Sequence, residues 1–537
     1  MTEPQDLFRA QLTQPVRRSA RLQPQRPALV DGDRTWTWAA FADRIARLAG
    51  AFHALGVESG DRVAMLADNC APYVEFFYAT LWAGGIAVPV NTRWALPEQL
   101  HCLDDAGPLV LLCDARHLSA ARDLLARCPS IQALILIPGD SVAAAGPVAD
   151  ALDYEALIET QAPVADACRG GDDVACLFYT GGTTGRAKGV MLTHDNLMAN
   201  SLVALTNMDM DEDTVHLHVS PLFHVAGGAR VFSTTLAGGC HVPMATFEPR
   251  GFLQNIHRHR VTLTIVVPTM LNLLLQALDT EPDLAAFDLS SLQLLTYGAS
   301  PMPEALLKRT MARLPQVRFM QGYGMTESAP VISTLGARYH RPDGPDTGYL
   351  RSAGKPVYTA EVVIMDGNDQ PLPTGAVGEV CVRGPMVMKG YWGQPELTAE
   401  TLRNGWLHTG DAGYLDEQGF LFLVDRVKDM IVTGGENVYS AEVEAALYQH
   451  PDVLECAVIG LPDERWGEAV AAVVVPKAGR ILAEADLDQT CRTQIAGYKC
   501  PKRYVIQAAP LPKSGAGKIL KAELKAPYWQ GQDRQFN

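Results

Sequence analysis

The chain has 537 residues, of which 47% are hydrophobic and 20% charged, and its formal net charge at pH 7 is −15. This length exceeds what one compact core usually supports, so we expect a large domain and at least one smaller one. The acidic balance argues against nucleic-acid binding, because nucleic-acid-binding proteins need basic surface to displace counterions from phosphates.

The N-terminus carries no recognisable targeting signal. Residues Met1 to Asp6 include acidic side chains and no continuous apolar stretch, which disfavours a signal or transit peptide. No run reaches the roughly 18 apolar residues of a membrane span. The eleven cysteines are scattered singly, and we interpret them as reduced and mostly buried. These features predict a cytoplasmic enzyme.

Strand-like and helix-like segments alternate through the first half of the chain. Asp61–Met65 and Gly85–Pro89 have strand character and flank the helix-like Tyr73–Ala83. This pattern predicts a large α/β domain with doubly wound sheets, whose ligands bind at the carboxyl ends of the strands. Further strand-like runs, each followed by Gly, Pro or Thr, are Val174–Tyr179, Thr262–Val267, Leu292–Tyr297 and Val317–Met320.

From about Ala360 the pattern changes to short strands separated by Gly and Pro. Glu361–Met365, Gly378–Arg383 and a hairpin turning near Gly419 predict a β-rich subdomain within the large domain.

Beyond Asp425 the sequence pattern changes again, from short strands to a mixture of helices and strands. A helix with Ser440 as a good N-cap, the strands Cys456–Ile459 and Ala469–Val475 and a lysine-rich end predict a small α+β domain of about 110 residues. We place the boundary near Arg426–Lys428, which gives domains 1–426 and 427–537.

A glycine- and threonine-rich segment, Thr180–Gly189, follows the strand-like run that ends at Tyr179. Glycines let the backbone approach an oligophosphate, threonine hydroxyls donate hydrogen bonds, and Lys188 adds positive charge. The segment is not a Walker A loop, because Gly189 rather than Ser or Thr follows the lysine; Lys518, followed by Ile519, fails the same test. Taken alone, a tight structural turn stays an alternative to a phosphate loop.

Nine motifs along the chain resemble, in order, those of the adenylate-forming superfamily of acyl-CoA synthetases, nonribosomal adenylation domains and luciferases. The resemblance covers nearly the whole chain. It implies an N-terminal adenylation domain, a mobile C-terminal domain that carries the catalytic lysine, and ATP, Mg²⁺ and coenzyme A as ligands. The motifs are Thr180–Gly189, Pro221–Gly228, Tyr297–Ser300, Gln321–Glu327, Gly378–Glu379 with Arg383–Gly384, His408–Asp411, Asp425–Asp429, Gly434–Val438 and Pro512–Lys518.

The resemblance implies roles for the nucleotide-binding residues. Thr326 and Glu327 would hold phosphate and Mg²⁺, with Glu327 as the metal ligand, although a helix-capping pair is the alternative. Asp411 would accept both ribose hydroxyls, or be an ordinary turn former, and Arg426 would contact the ribose or the α-phosphate, or be a solvated arginine. The other nucleotide residues are Thr180, Gly181, Gly182, Thr183, Thr184, Gly185, Lys188, Gly298, Ala299, Ser300, Gln321, Gly322, Tyr323 and Gly324.

The resemblance implies that different C-terminal residues serve the formation of the acyl-adenylate and the transfer of the acyl group to CoA. Lys518 would bridge the attacking carboxylate and the α-phosphate, although a surface lysine is the usual alternative. Lys428 would be the hinge, or an exposed loop lysine. The pantetheine tunnel would be lined by Gly434, Gly435, Glu436 and Asn437. Lys499 and Lys502 would contact CoA phosphates or form a solvated cluster.

His224 would gate the acyl pocket and touch the carboxylate, and a satisfied core histidine is the alternative. The pocket residues implied with it are Val225, Gly228, Tyr297, Gly298, Gly322 and Met325. Because these are mostly small or apolar, we expect a fatty or aromatic acid of the benzoate or hydroxycinnamate type. Arg230 would read a second carboxylate or polar group, but we favour a structural arginine with its head in water or in an ion pair.

The sequence therefore predicts an ATP-dependent acid–CoA ligase that acts through an acyl-adenylate. The alternatives are transfer to a carrier protein, a luciferase-like oxygenase, and a catalytically silent sensor of ATP or acyl-CoA. The expected partners are small molecules and no nucleic acid, and a homodimer is possible.

Overall fold

The computed structural model describes residues 9–137, 150–180, 186–300, 302–341, 347–426, 430–433, 436–463, 465–513 and 519–529. For Arg426, Glu436 and Asn437 the description is of the backbone. Within these ranges no helix is both long and apolar enough to cross a membrane. All eleven cysteines are free and nine of them are buried, in agreement with the interpretation of the sequence.

Helices and strands alternate along most of the described chain. The helices are α1 (Gln14–Leu22), α2 (Trp38–Ala54), α3 (Ala71–Trp82), α4 (Leu96–Ala106), α5 (Leu118–Arg127), α6 (Tyr154–Thr160), α7 (His194–Met208), α8 (Val225–Ala237), α9 (Pro249–His259), α10 (Pro268–Thr280), α11 (Glu304–Arg313), α12 (Pro395–Thr401), α13 (Ser440–Leu447), α14 (Glu484–Gln494) and α15 (Lys521–Lys525). The strands are β1 (Pro27–Asp31), β2 (Arg34–Thr37), β3 (Arg62–Leu66), β4 (Ile86–Pro89), β5 (Val110–Asp114), β6 (Ala133–Ile137), β7 (Leu152–Asp153), β8 (Val174–Thr180), β9 (Lys188–Thr193), β10 (Val215–His218), β11 (Cys240–Pro243), β12 (Leu263–Val266), β13 (Leu294–Gly298), β14 (Arg318–Gly324), β15 (Val331–Leu335), β16 (Lys355–Pro356), β17 (Glu361–Met365), β18 (Gly378–Arg383), β19 (Gly390–Tyr391), β20 (Leu407–Leu415), β21 (Leu421–Arg426), β22 (Ile431–Thr433), β23 (Glu436–Val438), β24 (Val453–Asp463), β25 (Gly467–Pro476) and β26 (Arg503–Ile506).

The first large sheet has the strand order β19-β9-β8-β4-β3-β5-β6-β7. Strands β3 to β8 pair in parallel, whereas β9 and β19 are added antiparallel beyond β8. The predicted succession of strand, helix and strand is confirmed as β3, α3 and β4. Helix α3 is apolar on nearly every side and its residues are almost all buried, as expected for a helix inside a large core.

The second large sheet has the order β16-β15-β14-β13-β12-β10-β11-β1-β2. Its central strands β10 to β14 and β1 pair in parallel, and β2, β15 and β16 are antiparallel additions. Parallel strands with helices between them are the doubly wound arrangement that the sequence predicted. The carboxyl ends of β10, β12, β13 and β14 therefore lie along one edge of this sheet.

The predicted β-rich subdomain is a four-stranded antiparallel sheet in the order β17-β18-β20-β21. Strands β17 and β18 have the bounds read from the sequence. Strands β20 and β21 form the predicted hairpin, and Gly419 in its turn has a φ of +79°, which glycine adopts without steric cost.

The last sheet has the order β23-β22-β25-β24, and β26 pairs with β25. Strand β21 ends at Arg426 and β22 begins at Ile431. Helix α13 begins at Ser440, but the N-cap position is occupied by Tyr439. The expectation that Ser440 caps this helix was therefore wrong by one position, because the Ser440 hydroxyl accepts a hydrogen bond from Lys521 instead.

A buried aromatic cluster joins strand β8 of the first large sheet to the helices α3 and α8. The Phe77 ring in α3 stacks on Phe178 in β8, with ring centroids 6.3 Å apart, and meets Phe232 in α8 edge-on at 5.6 Å. All three rings are buried. Since Phe178 precedes the glycine-rich loop and Phe232 belongs to the helix that follows His224, this packing fixes two predicted site segments relative to each other.

Candidate active site

The glycine-rich loop connects two antiparallel strands. Strand β8 ends at Thr180 and β9 begins at Lys188, and these two residues face each other in the ladder. The loop is thus shorter than Thr180–Gly189, because pairing with β8 takes Lys188 and Gly189 into a strand. A Cβ on Gly189 would lie 2.9 Å from the Tyr179 ring, so this glycine serves strand packing. Gly181, Gly182, Thr183, Thr184 and Gly185 lie outside the described residues.

Three side chains distant in sequence meet beside this loop. The hydroxyl of Tyr391 donates a 2.8 Å hydrogen bond to Oε1 of Glu327, and the ammonium nitrogen of Lys188 lies 5.0 Å from the centroid of the Tyr391 ring. Burial and the neighbouring Glu327 carboxylate raise the pKa of Tyr391 above its ordinary value, so this hydroxyl stays protonated and acts as a donor. Tyr391 therefore links the predicted phosphate lysine to the predicted metal ligand.

Thr326 and Glu327 lie in a short 3₁₀ turn after β14, and each is only 7% exposed. The backbone carbonyl of Glu327 accepts a 2.8 Å bond from the amide of Met388. Its Oε2 accepts no hydrogen bond from a described residue, which leaves one carboxylate oxygen for a cation. Mg²⁺ commonly takes one or two carboxylates together with phosphate oxygens, so this donor set fits that ion.

Tyr391 did not emerge from the sequence as a site residue. It lies 64 positions from Glu327, in a Gly-Tyr-Trp segment with no recognisable chemistry of its own. The antiparallel pairing of Tyr391 with Val190, two residues after Lys188, brings it to the site. A long-range strand pairing of this kind leaves no local signal.

The glycines at the ends of β13 and β14 allow close backbone approach. Gly298 faces Gly322 across the parallel ladder, and a Cβ on Gly298 would lie 2.3 Å from the carbonyl oxygen of Gly322. A Cβ on Gly324 would lie 1.8 Å from the carbonyl oxygen of Pro330. Ala299 adopts a φ of +64°, which is uncommon for a residue with a side chain. The structure thus brings Gly298, Ala299, Ser300, Gln321, Gly322, Tyr323 and Gly324 to one edge of the sheet.

Asp411 lies next to this edge and is oriented by Tyr323. The Tyr323 hydroxyl donates a 2.8 Å hydrogen bond to Oδ2 of Asp411, and the Asp411 amide donates to Oγ1 of Thr409 at 3.1 Å. In the antiparallel ladder Asp411 is the partner of Arg426. Two predicted nucleotide contacts, one on β20 and one on β21, therefore face each other on neighbouring strands.

A second polar cluster supports the strand that carries Asp411. Oε1 of Glu379 accepts from the amide of Gly410 at 2.9 Å, and Oε2 of Glu379 lies 2.9 Å from Nδ1 of His408. Cys381 adds a thiol, and ligand atoms of Glu379, Cys381 and His408 lie within 4.8 Å of one another. Because both Glu379 oxygens are already engaged by hydrogen-bond partners, we interpret this cluster as the support of the Asp411 turn.

His224 caps the helix α8. Its Nδ1 accepts a 3.3 Å hydrogen bond from the amide of Ala226, which is the role of an N-cap side chain. Burial, followed by the charge of Arg93, lowers the pKa of His224 to about 4. The ring is therefore neutral at pH 7, and with Nδ1 accepting, its proton is on Nε2. This arrangement provides a fixed N–H donor without a positive charge.

The other predicted pocket residues are packed to different degrees. Val225 is buried in the core, and a Cβ on Gly228 would lie 2.8 Å from the Phe178 ring. The hydroxyl of Tyr297 is 2.9 Å from Nε2 of His340, in a buried pair. Met325 is only partly buried, and a Cβ at Gly322 would meet only Val331, at 3.9 Å. Of the predicted pocket glycines, Gly322 has the most open space around it.

The preferred interpretation of Arg230 was wrong. Its side chain is 4% exposed, so the guanidinium is not in water, and no described residue forms an ion pair or hydrogen bond with it. Its Nε is sealed from solvent without a hydrogen-bond partner. The helix α8 carries this residue inward because every residue of α8 from Gly227 to Thr235 is buried.

The C-terminal candidates fall partly within the described residues. Lys428, Gly434, Gly435 and Lys518 lie outside the described residues, whereas the backbones of Glu436 and Asn437 lie in β23, paired with β22. Lys499 forms a 2.7 Å ion pair with Glu442. Lys502 donates to the carbonyl oxygen of Gly497 at 3.4 Å. Lys499 is therefore engaged by a carboxylate in this conformation rather than held in a solvated cluster.

Two family models match the chain. The AMP-binding enzyme model matches residues 16–392, and the AMP-binding enzyme C-terminal domain model matches residues 442–518. The first match alone covers more than half of the chain and includes the residues around Lys188, His224 and Glu327.

The chain is similar along nearly its whole length to several characterised proteins. It is 42% identical over 515 residues to a feruloyl-CoA synthase of Amycolatopsis sp, covering 96% of this chain and 98% of that protein. It is 37% identical over 522 residues to the fatty acid–[acyl-carrier-protein] ligase ScoC of Streptomyces coeruleorubidus, covering 96% of each. It is 36% identical over 525 residues to the medium/long-chain-fatty-acid–CoA ligase FadD8 of Mycobacterium tuberculosis, covering 95% of this chain and 88% of that protein.

Solved structures resemble this fold with comparable coverage. The o-succinylbenzoate CoA synthetase MenE of Bacillus subtilis, in complex with the acyl-adenylate intermediate OSB-AMP, has a TM-score of 0.82 at 32% identity and covers 95% of this chain and 97% of its own. ATP-bound MatB of Rhodopseudomonas palustris has a TM-score of 0.84 at 29% identity, covering 97% and 99%. The amide bond synthetase McbA of Marinactinospora thermotolerans has a TM-score of 0.84 at 30% identity, covering 96% and 100%.

Proposed function

The chain belongs to the AMP-binding enzyme family, and from this premise we propose that it is an ATP-dependent acid–CoA ligase acting through an acyl-adenylate on a fatty or aromatic acid. The observation that carries this proposal is the similarity along almost the full chain to a feruloyl-CoA synthase and a fatty-acid–CoA ligase. Both relatives join a carboxylic acid to coenzyme A, and one acid is aromatic while the other is aliphatic.

The reaction has two half-reactions. In the first, a carboxylate oxygen of the acid attacks the α-phosphorus of ATP, a P–O bond forms, and the bond to pyrophosphate breaks to give acyl-AMP. In the second, the thiol of CoA loses its proton, its sulfur attacks the acyl carbon, and AMP leaves with the electrons of the C–O bond. Catalysis of phosphoryl chemistry depends mainly on positioning and charge compensation.

The ATP phosphates are proposed to lie over the Thr180–Lys188 loop. Lys188, stacked on Tyr391, would contribute positive charge, and Thr326 would donate a hydrogen bond. Glu327 has one oxygen held by Tyr391 and one left for Mg²⁺, which supplies charge neutralisation of the phosphates when bound. Lys188, Thr326 and Glu327 would together orient the triphosphate. Because Thr326 and Glu327 are buried, they would also exclude water from their side of the phosphates.

The ribose and the acid are proposed to bind on either side of the α-phosphate. Asp411 would accept the two ribose hydroxyls, because an ionised carboxylate accepts hydrogen bonds only, and Tyr323 holds one of its oxygens in place. The backbone of Arg426 lies opposite Asp411, which supports a contact from Arg426 to the ribose or α-phosphate. His224 would donate its Nε2–H to the carboxylate of the acid.

The C-terminal domain is proposed to act in two orientations. We assign residues 1–426 to the adenylation domain and 427–537 to a mobile domain, with Lys428 at the hinge. In the first orientation Lys518 would bridge the carboxylate and the α-phosphate. In the second, Gly434, Gly435, Glu436 and Asn437 would line the path of the CoA thiol. The change of sheets between Arg426 and Ile431 supports this division.

The decisive experiment is a pyrophosphate-release screen with ATP and Mg²⁺. Short, medium and long fatty acids, benzoates, hydroxycinnamates and dicarboxylates are each tested with and without CoA, and products are identified by mass. We expect AMP, pyrophosphate and a CoA thioester for at least one aromatic or fatty acid. Pyrophosphate release without any CoA thioester would contradict the CoA half of the proposal.

The name of one relative suggests a second candidate for the acceptor of the acyl group, an acyl carrier protein. ScoC ligates a fatty acid to an acyl carrier protein and is 37% identical to this chain. Adding a holo-acyl-carrier protein in place of CoA tests transfer to that thiol. Acylation of the carrier protein at a rate above that with CoA would replace the proposed acceptor while leaving the adenylation step unchanged.

The cellular setting follows from the substrates. ATP and CoA are available in the cytoplasm, and the eleven free cysteines fit a reducing compartment, so we propose a cytoplasmic enzyme. Fractionation of expressing cells tests this location, and size-exclusion chromatography measures whether the protein is a monomer or a dimer.

A further inference from the structure

Arg230 is a buried cation without a partner in the described part of the chain. Its side chain is 4% exposed, Nε is without a hydrogen bond, and no ion pair joins the guanidinium to the described part of the chain. Arg44, in contrast, has a side chain that is 14% exposed and pairs with two carboxylates, Glu75 at 2.5 Å and Glu155 at 2.8 Å. Buried charges are normally paired, so the missing partner of Arg230 requires an explanation.

The guanidinium borders a narrow crevice. We call this space the Arg230 crevice; it is lined by β10 and the residues after it, by α8 and by β12, and includes His216, His218, Ser220 and Ile265. None of these lining residues is acidic. The crevice has no room for a water molecule in this conformation, so an acid reaches the guanidinium only by moving the side chains that line it.

The histidines around the crevice contribute no negative charge and have their own partners. Nδ1 of His216 is 2.7 Å from Oγ1 of Thr234. Nε2 of His218 is 3.0 Å from Nδ1 of His241, whose Nε2 is 3.0 Å from Oγ1 of Thr235. Burial lowers the pKa of His218 to about 3, and it lowers the pKa of Arg230 only to about 10. At pH 7 the crevice therefore holds one positive charge beside neutral rings.

The crevice lies beside the proposed acyl site. His224 caps the same helix that carries Arg230, and six residues of α-helix extend about 9 Å along the axis. Ser220 follows β10, and β12 is the direct neighbour of β13, which ends at Gly298. Arg230 therefore lies on the helix that begins at the proposed carboxylate contact, near the sheet edge that carries the other predicted pocket residues.

Resting on the proposed acid–CoA ligase function, we propose that Arg230 binds an oxygen acceptor, best a carboxylate, at the far end of the acid substrate. A guanidinium forms two parallel hydrogen bonds with a carboxylate, and the buried charge would thereby gain its missing partner. A phenolic oxygen satisfies part of the same requirement, whereas a methyl end leaves the guanidinium unpaired. The preferred substrate is then an acid with a polar end rather than an unsubstituted fatty acid.

Three acids of one length separate these cases: 4-carboxycinnamate, 4-hydroxycinnamate and 4-methylcinnamate. We measure kcat/KM for acyl-CoA formation with each. The wild-type enzyme is expected to prefer the carboxy acid over the methyl acid by at least about tenfold, with the hydroxy acid between them. Arg230→Met should lower the carboxy-to-methyl ratio by about 10- to 100-fold, because a hydrogen-bonded charge pair is lost. Arg230→Lys, which keeps the charge, should restore part of that ratio.

Thermal unfolding distinguishes a binding role from a structural one. Without substrate, Arg230→Met should unfold at a temperature no lower than the wild type, because it removes an unpaired buried charge. The matched control Arg44→Met should unfold at a lower temperature, since it leaves the buried Glu75 carboxylate without its cation and with only the Tyr154 hydroxyl as a partner. Stabilisation by 4-carboxycinnamate should occur in the wild type and be reduced in Arg230→Met.

Two outcomes would overturn the inference while the proposed function stands. One is an unchanged ratio between the three acids in Arg230→Met; the other is a thermal loss in Arg230→Met as large as in Arg44→Met. If the wild type forms no CoA thioester with any of these acids or with the fatty acids of the wider screen, the proposed function itself fails.

Discussion

The two sides of the candidate site are built on different principles. On the nucleotide side, side chains are held by one another: Tyr391 holds Glu327 at 2.8 Å and Tyr323 holds Asp411 at 2.8 Å. On the acyl side, His224 is engaged by its own helix at 3.3 Å, and Arg230 has no partner in the described chain. The side chains proposed to bind the nucleotide are thus held by other side chains before the nucleotide arrives. On the acyl side, the proposed contact of Arg230 forms only when the acid binds.

The largest expected effect tests whether the nucleotide side depends on the C-terminal domain. Lys518→Ala should lower the rate of adenylation by about 10²- to 10³-fold, as expected for the loss of one electrostatic contact to a transition state. Conversion of supplied acyl-adenylate by CoA should be spared. The two half-reactions are measured separately, by pyrophosphate release and by thioester formation; equal loss in both would contradict a lysine dedicated to adenylation.

The next effect tests the prearranged network. Tyr391→Phe removes the hydrogen bond to Glu327 and should lower kcat for adenylation by about tenfold or more, because bonds to charged groups are among the stronger ones. The dependence on Mg²⁺ concentration should shift upward at the same time. Tyr414→Phe is the matched control, since Tyr414 lies in β20 and stacks on Phe422 with a centroid distance of 5.0 Å. A similar loss in both variants would show that Tyr391 only supports packing.

A smaller effect is expected on the acyl side. His224→Asn keeps a side chain that can cap α8 but removes the Nε2–H donor. We expect about a tenfold lower kcat/KM for the acid, with the KM for ATP little changed. The measurement is acyl-AMP formation at varied acid and at varied ATP. An equal rise in both KM values would indicate that the substitution disturbs the helix and not the carboxylate contact.

The last prediction is that the titration of His224 does not affect activity between pH 6 and pH 8. With its pKa lowered to about 4 by burial, the ring stays neutral between pH 6 and pH 8 and gains a proton only as the pH falls toward 4. The kcat/KM for the acid should therefore show no His224 inflection near pH 6.5. The check is to compare the profiles of the wild type and His224→Asn. An inflection near pH 6.5 that His224→Asn abolishes would show that the ring is solvated.

Much of the fold follows from local pattern. The bounds of β17 and β18 agree with the sequence, and α3 and its flanking strands differ by one to three residues, because hydrophobic runs and turn residues act over short distances. Errors arose where tertiary contacts took over. Pairing with β8 drew Lys188 and Gly189 into a strand, and Lys521 took the Ser440 hydroxyl that was expected to cap α13.

From the sequence by itself, local motifs predicted a phosphate loop at Thr180–Gly189, a Thr326–Glu327 pair for phosphate and metal, and Asp411 for the ribose. The membership of the AMP-binding enzyme family that they implied is confirmed. Only the tertiary structure decided which groups stand beside these residues. Tyr391 reaches Glu327 through the pairing of β19 with β9. Among the described residues Arg230 has no acidic partner, because α8 carries it into the interior. Whether a buried charge has a partner depends on residues far apart in the chain, which no local pattern records.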